Sequence, residues 1–140
     1  MSVPEGKRTR NKMDMLAATQ KLAEYTVGIC SNESKFWSRD IASDIAAMAW
    51  RAHSLLTRAN AVNVRPGCDP ANYVERRSLQ DRGISELNAL KQQIECAGKA
   101  FRRDKRKTAY WMGLCVDAID LSTRWRDSEA RKWPLSNGIG

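Results

Sequence analysis

Apolar residues recur along this chain at alternating intervals of three and four, the spacing that gathers side chains onto one face of an α-helix. Met15, Ala18, Leu22, Tyr25 and Ile29 trace a first stripe, and Ile41, Ile45, Met48, Ala52, Leu55 and Ala59 a second. A third runs through Leu79, Gly83, Leu87, Leu90, Ile94, Ala97 and Phe101, and a fourth through Trp111, Leu114, Ala118, Leu121 and Trp125. No segment alternates in the manner of a half-buried strand, so the pattern predicts an all-α fold.

Residues between the stripes mark the boundaries. The stretch from Val64 to Pro70 contains Pro66-Gly67, a turn signal, and then Asp69-Pro70, an N-cap followed by proline at the first helical position. Between the third and fourth stripes there is no Pro or Gly. One helix over 71–130 would be about 90 Å long and would set Asp104 and Thr108 on its core stripe, so a break near Asp104 is the better reading. Four helices of about 20–30 residues with short connections predict an antiparallel up-down-up-down four-helix bundle over residues 13–131. A basic N-terminal tail (1–12) and a flexible C-terminal tail (132–140) flank it. This topology gathers the N-terminal tail, the 62–70 turn, Arg131 and Lys132 at one end, and sends the 99–107 turn to the other.

Charge adds what the apolar pattern does not contain. The 140 residues, one domain's worth, carry 24 Lys and Arg against 16 Asp and Glu, a net +8. Lys7, Arg8, Arg10 and Lys12 against Glu5 give the first twelve residues +3, and Lys99, Arg102, Arg103, Lys105, Arg106 and Lys107 against Asp104 give residues 99–107 +5. The rest of the chain is neutral. Two cationic patches on a neutral body point to a polyanionic partner, with the Lys99–Lys107 cluster able to neutralise several phosphates independently of sequence. The bland alternative is that basic residues ending a helix simply offset its macrodipole. Arg76, Arg77 and Arg82 lie beside Glu75, Asp81 and Glu86 and read first as an intrahelical charge lattice, as do Arg124 and Arg126.

Other chemistry is sparse. The longest apolar run, Ile45 to Trp50, is far short of a membrane span, and SVPEGKRTRNK contains no apolar signal region. Cys30, Cys68, Cys96 and Cys115 lie 38, 28 and 19 residues apart with His53 as the single imidazole, so no metal site is expected and free thiols in a reducing cytosol are the default. His53 reads as an ordinary surface or boundary residue. No phosphate-binding loop, nucleophile elbow or metalloprotease motif occurs, and the pairs Asp40/Asp44 and Asp117/Asp120 have the spacing of solvated or inter-helix faces. A non-enzymatic protein without a cofactor is expected. Trp111 and Trp125 fall on a core stripe, whereas Trp50 sits one position off the second stripe, among Ala42, Ala46, Ala47, Ala49 and Ala52, and suits an oligomer contact.

Several short segments, in order, resemble the accessory variability determinant (Avd) proteins of diversity-generating retroelements. They are the opening SVPEGKR, the Lys21 to Thr26 segment KLAEYT, the Glu75 to Gln80 segment ERRSLQ followed by Asn88, and Lys105-Arg106 through Tyr110-Trp111 to Trp125. A wider group of four-helix-bundle proteins, including those encoded in intervening sequences of bacterial large-subunit rRNA genes, shares the architecture. The resemblance implies a homopentameric ring of four-helix bundles that binds the retroelement's reverse transcriptase and its template-repeat and spacer RNA, and supports synthesis of adenine-mutagenised cDNA held as an RNA–cDNA product. It implies the cytoplasm of a bacterial or phage-infected cell. A ring repeats each patch around its axis, so the Lys99–Lys107 cluster becomes a cationic rim for RNA. The N-terminal cations and, more weakly, Arg76, Arg77 and Arg82 then form a second contact set for RNA or polymerase. The competing expectation is a structural oligomeric module that binds RNA or acidic proteins outside any retroelement.

Overall fold

Side-chain oxygens of Ser38, Asp69 and Asp104 accept N–H groups at the starts of three of the helices. In the computed structural model, which describes residues 5–32 and 37–135 and side chains from Lys12 onward, the helices are α1 (Glu5–Asn32), α2 (Arg39–Ala61), α3 (Ala71–Ala100) and α4 (Lys105–Lys132). Ser38 Oγ accepts the Ile41 N–H at the start of α2, and Asp69 Oδ1 accepts the Ala71 N–H at the start of α3, as the Asp-Pro signal predicts. Gly67 takes φ 88° in the turn between them, a conformation that favours glycine. The break between the third and fourth stripes falls at Phe101–Asp104.

α1 packs on α2 and α4, and α3 packs on the same two helices, which closes a four-helix bundle. Among the described residues no helix is long and apolar enough to cross a membrane. Met15, Leu22, Ile45, Leu56, Leu87, Leu90, Ile94 and Trp111 form the fully buried centre.

Three stripes bury a face slightly rotated from the one the apolar spacing marks. On α2, Ile41 is exposed and Met48 half-buried, while Ala42, Ala49 and Leu56 are in the core. On α1, Thr19 and Thr26 are buried and their neighbours Ala18 and Tyr25 only partly so, because each threonine has an internal partner. Thr19 Oγ1 donates to the Leu16 carbonyl at 3.1 Å and lies 3.0 Å from His53 Nδ1; Thr26 Oγ1 accepts the Trp111 Nε1–H at 2.9 Å. On α4, Ser122 is buried and Leu121 is not. Thr19 and Thr26, whose hydroxyls bond inside, are thus core residues that a count of apolar side chains passes over, whereas the buried Ser122 Oγ has no hydrogen-bond partner among the described residues.

The flanks also differ from expectation. α1 extends back to Glu5, so residues 5–12 are its first two turns and not a tail. At the other terminus Trp133 packs on Tyr73 with ring centroids 5.0 Å apart, which ties the start of the 132–140 segment to α3. Residues 1–4 and 136–140 lie outside the described residues. Arg126 reaches Asp81 at 3.3 Å and Arg51 reaches Glu86 at 3.0 Å, so these acids pair between helices instead of forming an intrahelical lattice with Arg77 and Arg82; Arg124 does pair within its helix, with Asp120 at 2.9 Å.

Candidate nucleic-acid interface

The Lys99–Lys107 cluster is built around a helix-to-helix turn of defined geometry. The Arg103 N–H donates to the Gly98 carbonyl at 2.9 Å and the Arg102 N–H to the Lys99 carbonyl at 3.3 Å, the crossed pair of bonds that closes a Schellman end. That motif needs a left-handed residue, and Arg102 supplies it at φ 50°. Two residues later Asp104 caps α4, its Oδ1 accepting the N–H groups of Arg106 at 2.8 Å and Lys107 at 3.1 Å. A Cβ on Gly98 would come within 2.9 Å of Thr108 Cγ2, so the end of α3 and the start of α4 are in close approach. The tight turn leaves its long cationic side chains projecting outward.

Helix position sorts those cations electrostatically. Lys99, in the last turn of α3, complements the helix dipole and lies 3.5 Å from Glu95, an exposed pair of little energetic weight. Lys105, Arg106 and Lys107 stand in the first turn of α4, where the N-terminal dipole is positive and opposes them; the turn itself contains no acid, and Asp104 precedes it as the cap. All three are exposed, as is Arg102. Macrodipole compensation therefore accounts for Lys99 alone.

Arg103 departs from its sequence-based assignment. Its guanidinium lies over Trp37 at 4.9 Å and over Trp111 at 5.6 Å, and Trp37 in turn packs edge-on against Phe101 at 5.0 Å. It is a half-buried cation that fastens the α1–α2 connection to the α3–α4 turn.

The second contact set separates further. Arg76 is 4% exposed. Its Nε donates to the Ala59 carbonyl at 3.0 Å, which also accepts the Val62 N–H at 3.3 Å, and its Nη2 to the Asn60 carbonyl at 3.2 Å, while Nη1 pairs with Glu129 of α4. Glu129 also accepts from Gln80 Nε2 at 2.9 Å and Trp125 Nε1 at 3.2 Å, and the Arg76 guanidinium lies 5.3 Å from the Trp125 ring. Burial pushes the Glu129 carboxyl up, against Arg76, Gln80, Trp125 and Lys12, which pull it down. The three donors on it, Arg76, Gln80 and Trp125, are those of an ionised carboxylate, so the charged pair is the form this geometry supports.

Arg76 is consequently an internal fastener of α2, α3 and α4 and has no fork left for an external phosphate. The apolar pattern gave no warning of this, since a buried arginine and a solvated one share the same letter. Lys12 lies half-buried at the same end; desolvation lowers its pKa, Arg76 adds to the lowering and Glu129 opposes it. The side chains of Lys7, Arg8 and Arg10 lie outside the described residues. Arg77 is half-buried and Arg82 exposed. Arg131 and Lys132 are exposed in the last turn of α4, with Lys132 over the Trp133 ring at 4.9 Å.

Residues with catalytic potential are arranged for packing. The Thr19 hydroxyl proton is committed to Leu16, so His53 presents Nδ1–H to the Thr19 oxygen; its pKa is lowered by burial, against Glu24. Among the described residues no group of three or more His, Cys, Asp or Glu side chains is positioned to hold a metal ion. Burial pushes the Cys115 thiol up to about 12.

No protein-family model, curated protein or solved structure matches this chain.

Proposed function

We propose that the protein is a non-catalytic accessory subunit of a diversity-generating retroelement. In this reading it binds the reverse transcriptase and the template-repeat RNA and supports mutagenic cDNA synthesis, the step that precedes mutagenic retrohoming. It acts in the bacterial or phage-infected cytoplasm as a homopentameric ring of antiparallel up-down-up-down bundles. The observation that carries the RNA-binding part is the placement of Lys105, Arg106 and Lys107. Three exposed cations at a helix N-terminus oppose the local dipole, and a polyanion bound there would reverse that penalty. The identity of the ribonucleoprotein rests on the ordered sequence resemblance.

The contact set is Lys99, Arg102, Lys105, Arg106 and Lys107, with Arg77, Arg82 and the cations of α1 facing RNA or polymerase. Arg76 and Arg103 leave it, since their guanidinium groups are taken up by the fold. The ring contact falls on α2, where Ser43, Ala47, Trp50, Ser54, Thr57 and Ala61 are all exposed at intervals of four and three, with no charge among them and Trp50 at 62% exposure. The same face favours the second reading, an oligomeric module whose basic turn binds acidic proteins outside a retroelement.

Replacing the five contact cations together with Gln separates the two. The variant is expected to keep its helicity and oligomeric state, and to lose about 0.7 from the slope of log affinity for RNA against log salt per abolished phosphate contact. Unchanged RNA affinity and slope would overturn the RNA-binding assignment. Co-purification of the wild-type chain with a neighbouring reverse transcriptase tests the retroelement assignment.

A further inference from the structure

Tyr110 is an exposed aromatic one helical turn beyond the cationic cluster, and none of the roles above uses it. It is 50% exposed, and on α4 it follows Arg106 by four residues and Lys107 by three, which places all three side chains on one face. Helical side chains lean towards the N-terminus of their helix, which inclines Tyr110 towards the turn that carries those two cations. Its position is set by an aromatic chain anchored in the core. Tyr25 meets Tyr110 edge-on at 5.1 Å and 68°, and Tyr25 meets the fully buried Trp111 at 6.4 Å and 64°.

The approach to the ring is open. Ala109 and Gly113 flank it at exposed positions, and a Cβ added to Gly113 would meet nothing within 4 Å. Further along the α1–α4 groove the walls include Asp117 and Asp120 together with Lys21, and Asp120 pairs with Arg124 at 2.9 Å. Asp117 lies seven residues, about 10 Å, beyond Tyr110 along the helix axis, where its carboxylate repels a phosphate backbone.

We propose that Tyr110 is a base-stacking platform and that the nucleic acid held at this turn is single-stranded RNA. The inference rests on the RNA-binding reading and specifies the strand it takes. Arg106 and Lys107 hold phosphates while an unpaired base lies on the ring, and the Asp117 carboxylate beyond repels the strand's backbone. A duplex keeps its base faces stacked on one another and has none to offer the ring. Stacking on an aromatic face is tolerant of base identity, so the site reads single-strandedness and not sequence.

The test uses the full chain and three probes of equal phosphate number: oligouridylate, the same backbone with abasic sites, and a blunt RNA duplex. Tyr110→Ala is expected to bind oligouridylate about tenfold more weakly, a change of about 1.4 kcal/mol, with the salt slope unchanged because no charge is removed. Affinity for the abasic strand and the duplex stays at the wild-type value, and Tyr110→Phe retains oligouridylate binding. An equal loss on all three probes, or none on oligouridylate, overturns the stacking role. Failure of the underlying reading looks different: the five-Gln variant would then bind every probe as the wild type does.

Discussion

Replacing Lys105, Arg106 and Lys107 together with Gln should make the protein more stable while weakening its hold on RNA. Each cation stands in the first turn of α4, against the positive end of the dipole, and they share the turn with Arg102. Gln and these residues have similar helix propensities, so the substitution reports charge and little else. An unfavourable charge–dipole contact of about 0.3 kcal/mol each, the low end appropriate to exposed side chains, sums to about 1 kcal/mol. For 140 residues the unfolding entropy is about 0.3 kcal/mol per kelvin, so the melting temperature should rise by about 3 °C at low ionic strength. The gain should fade in molar salt, where the screening length falls to about 3 Å. Calorimetry across a salt series checks the first half; an RNA titration, in which the salt slope should shrink by about 2 in magnitude, checks the second. A melting temperature that falls or stays level at low salt would refute the electrostatic reasoning, and unaltered RNA binding would refute the functional one.

Arg76→Leu leaves the Glu129 carboxylate buried without its cation and the Asn60 carbonyl without its Arg76 donor, so urea denaturation should record a loss of about 3–5 kcal/mol. Arg76→Lys, which keeps the charge without the planar fork, should recover only part of it; a loss below about 1 kcal/mol in the leucine variant would contradict the fastener role. His53 has a pKa lowered in the folded state, so its contribution is fully present above the unfolded value of about 6.5 and is lost as pH falls through 6.5 towards the folded pKa. The urea midpoint of the wild type should therefore drop more steeply between pH 7 and pH 5 than that of His53→Gln, and parallel pH profiles would exclude the effect.

Legibility in the sequence followed the physics of each signal. Helix number, the Pro66–Pro70 connection and the break at Asp104 were readable because apolar periodicity and capping residues are local, and the local chemistry meets no competitor there. The rotation of the buried faces was not readable, because Thr19 and Thr26 enter the core against partners, His53 and Trp111, that lie on other helices. The basic cluster was visible as a run of letters, yet its division was not. One residue, Arg103, is drawn between two tryptophans from distant parts of the chain, and Lys99 and Lys105 acquire opposite electrostatic roles once a helix end falls between them. Arg76 shows the same limit most sharply, since its partners at positions 59, 60 and 129 come together only in the folded bundle.

That sorting gives the two ends of the bundle different characters. At the end where α2 and α4 finish and α3 begins, Arg76 is internal, Glu129 accepts from three donors and Lys12 loses solvation beside them, so these cations are taken up in joining helices while Arg131 and Lys132 stay exposed. At the α3–α4 turn the fold does the reverse. It uses Asp104 and a left-handed Arg102 to make the turn tight, commits only Arg103 inward, and leaves Arg102, Lys105, Arg106 and Lys107 outward, Arg102 in a costly backbone conformation and the other three against the α4 dipole. A left-handed arginine costs about 1 kcal/mol relative to glycine, the residue most suited to that site. Arg102→Gly should accordingly hold or raise the melting temperature while weakening RNA binding. Stability and binding are thus expected to move in opposite directions at every outward cation of this turn, and in the same direction at Arg103, whose loss would open the Trp37–Trp111 contact that holds the turn in place.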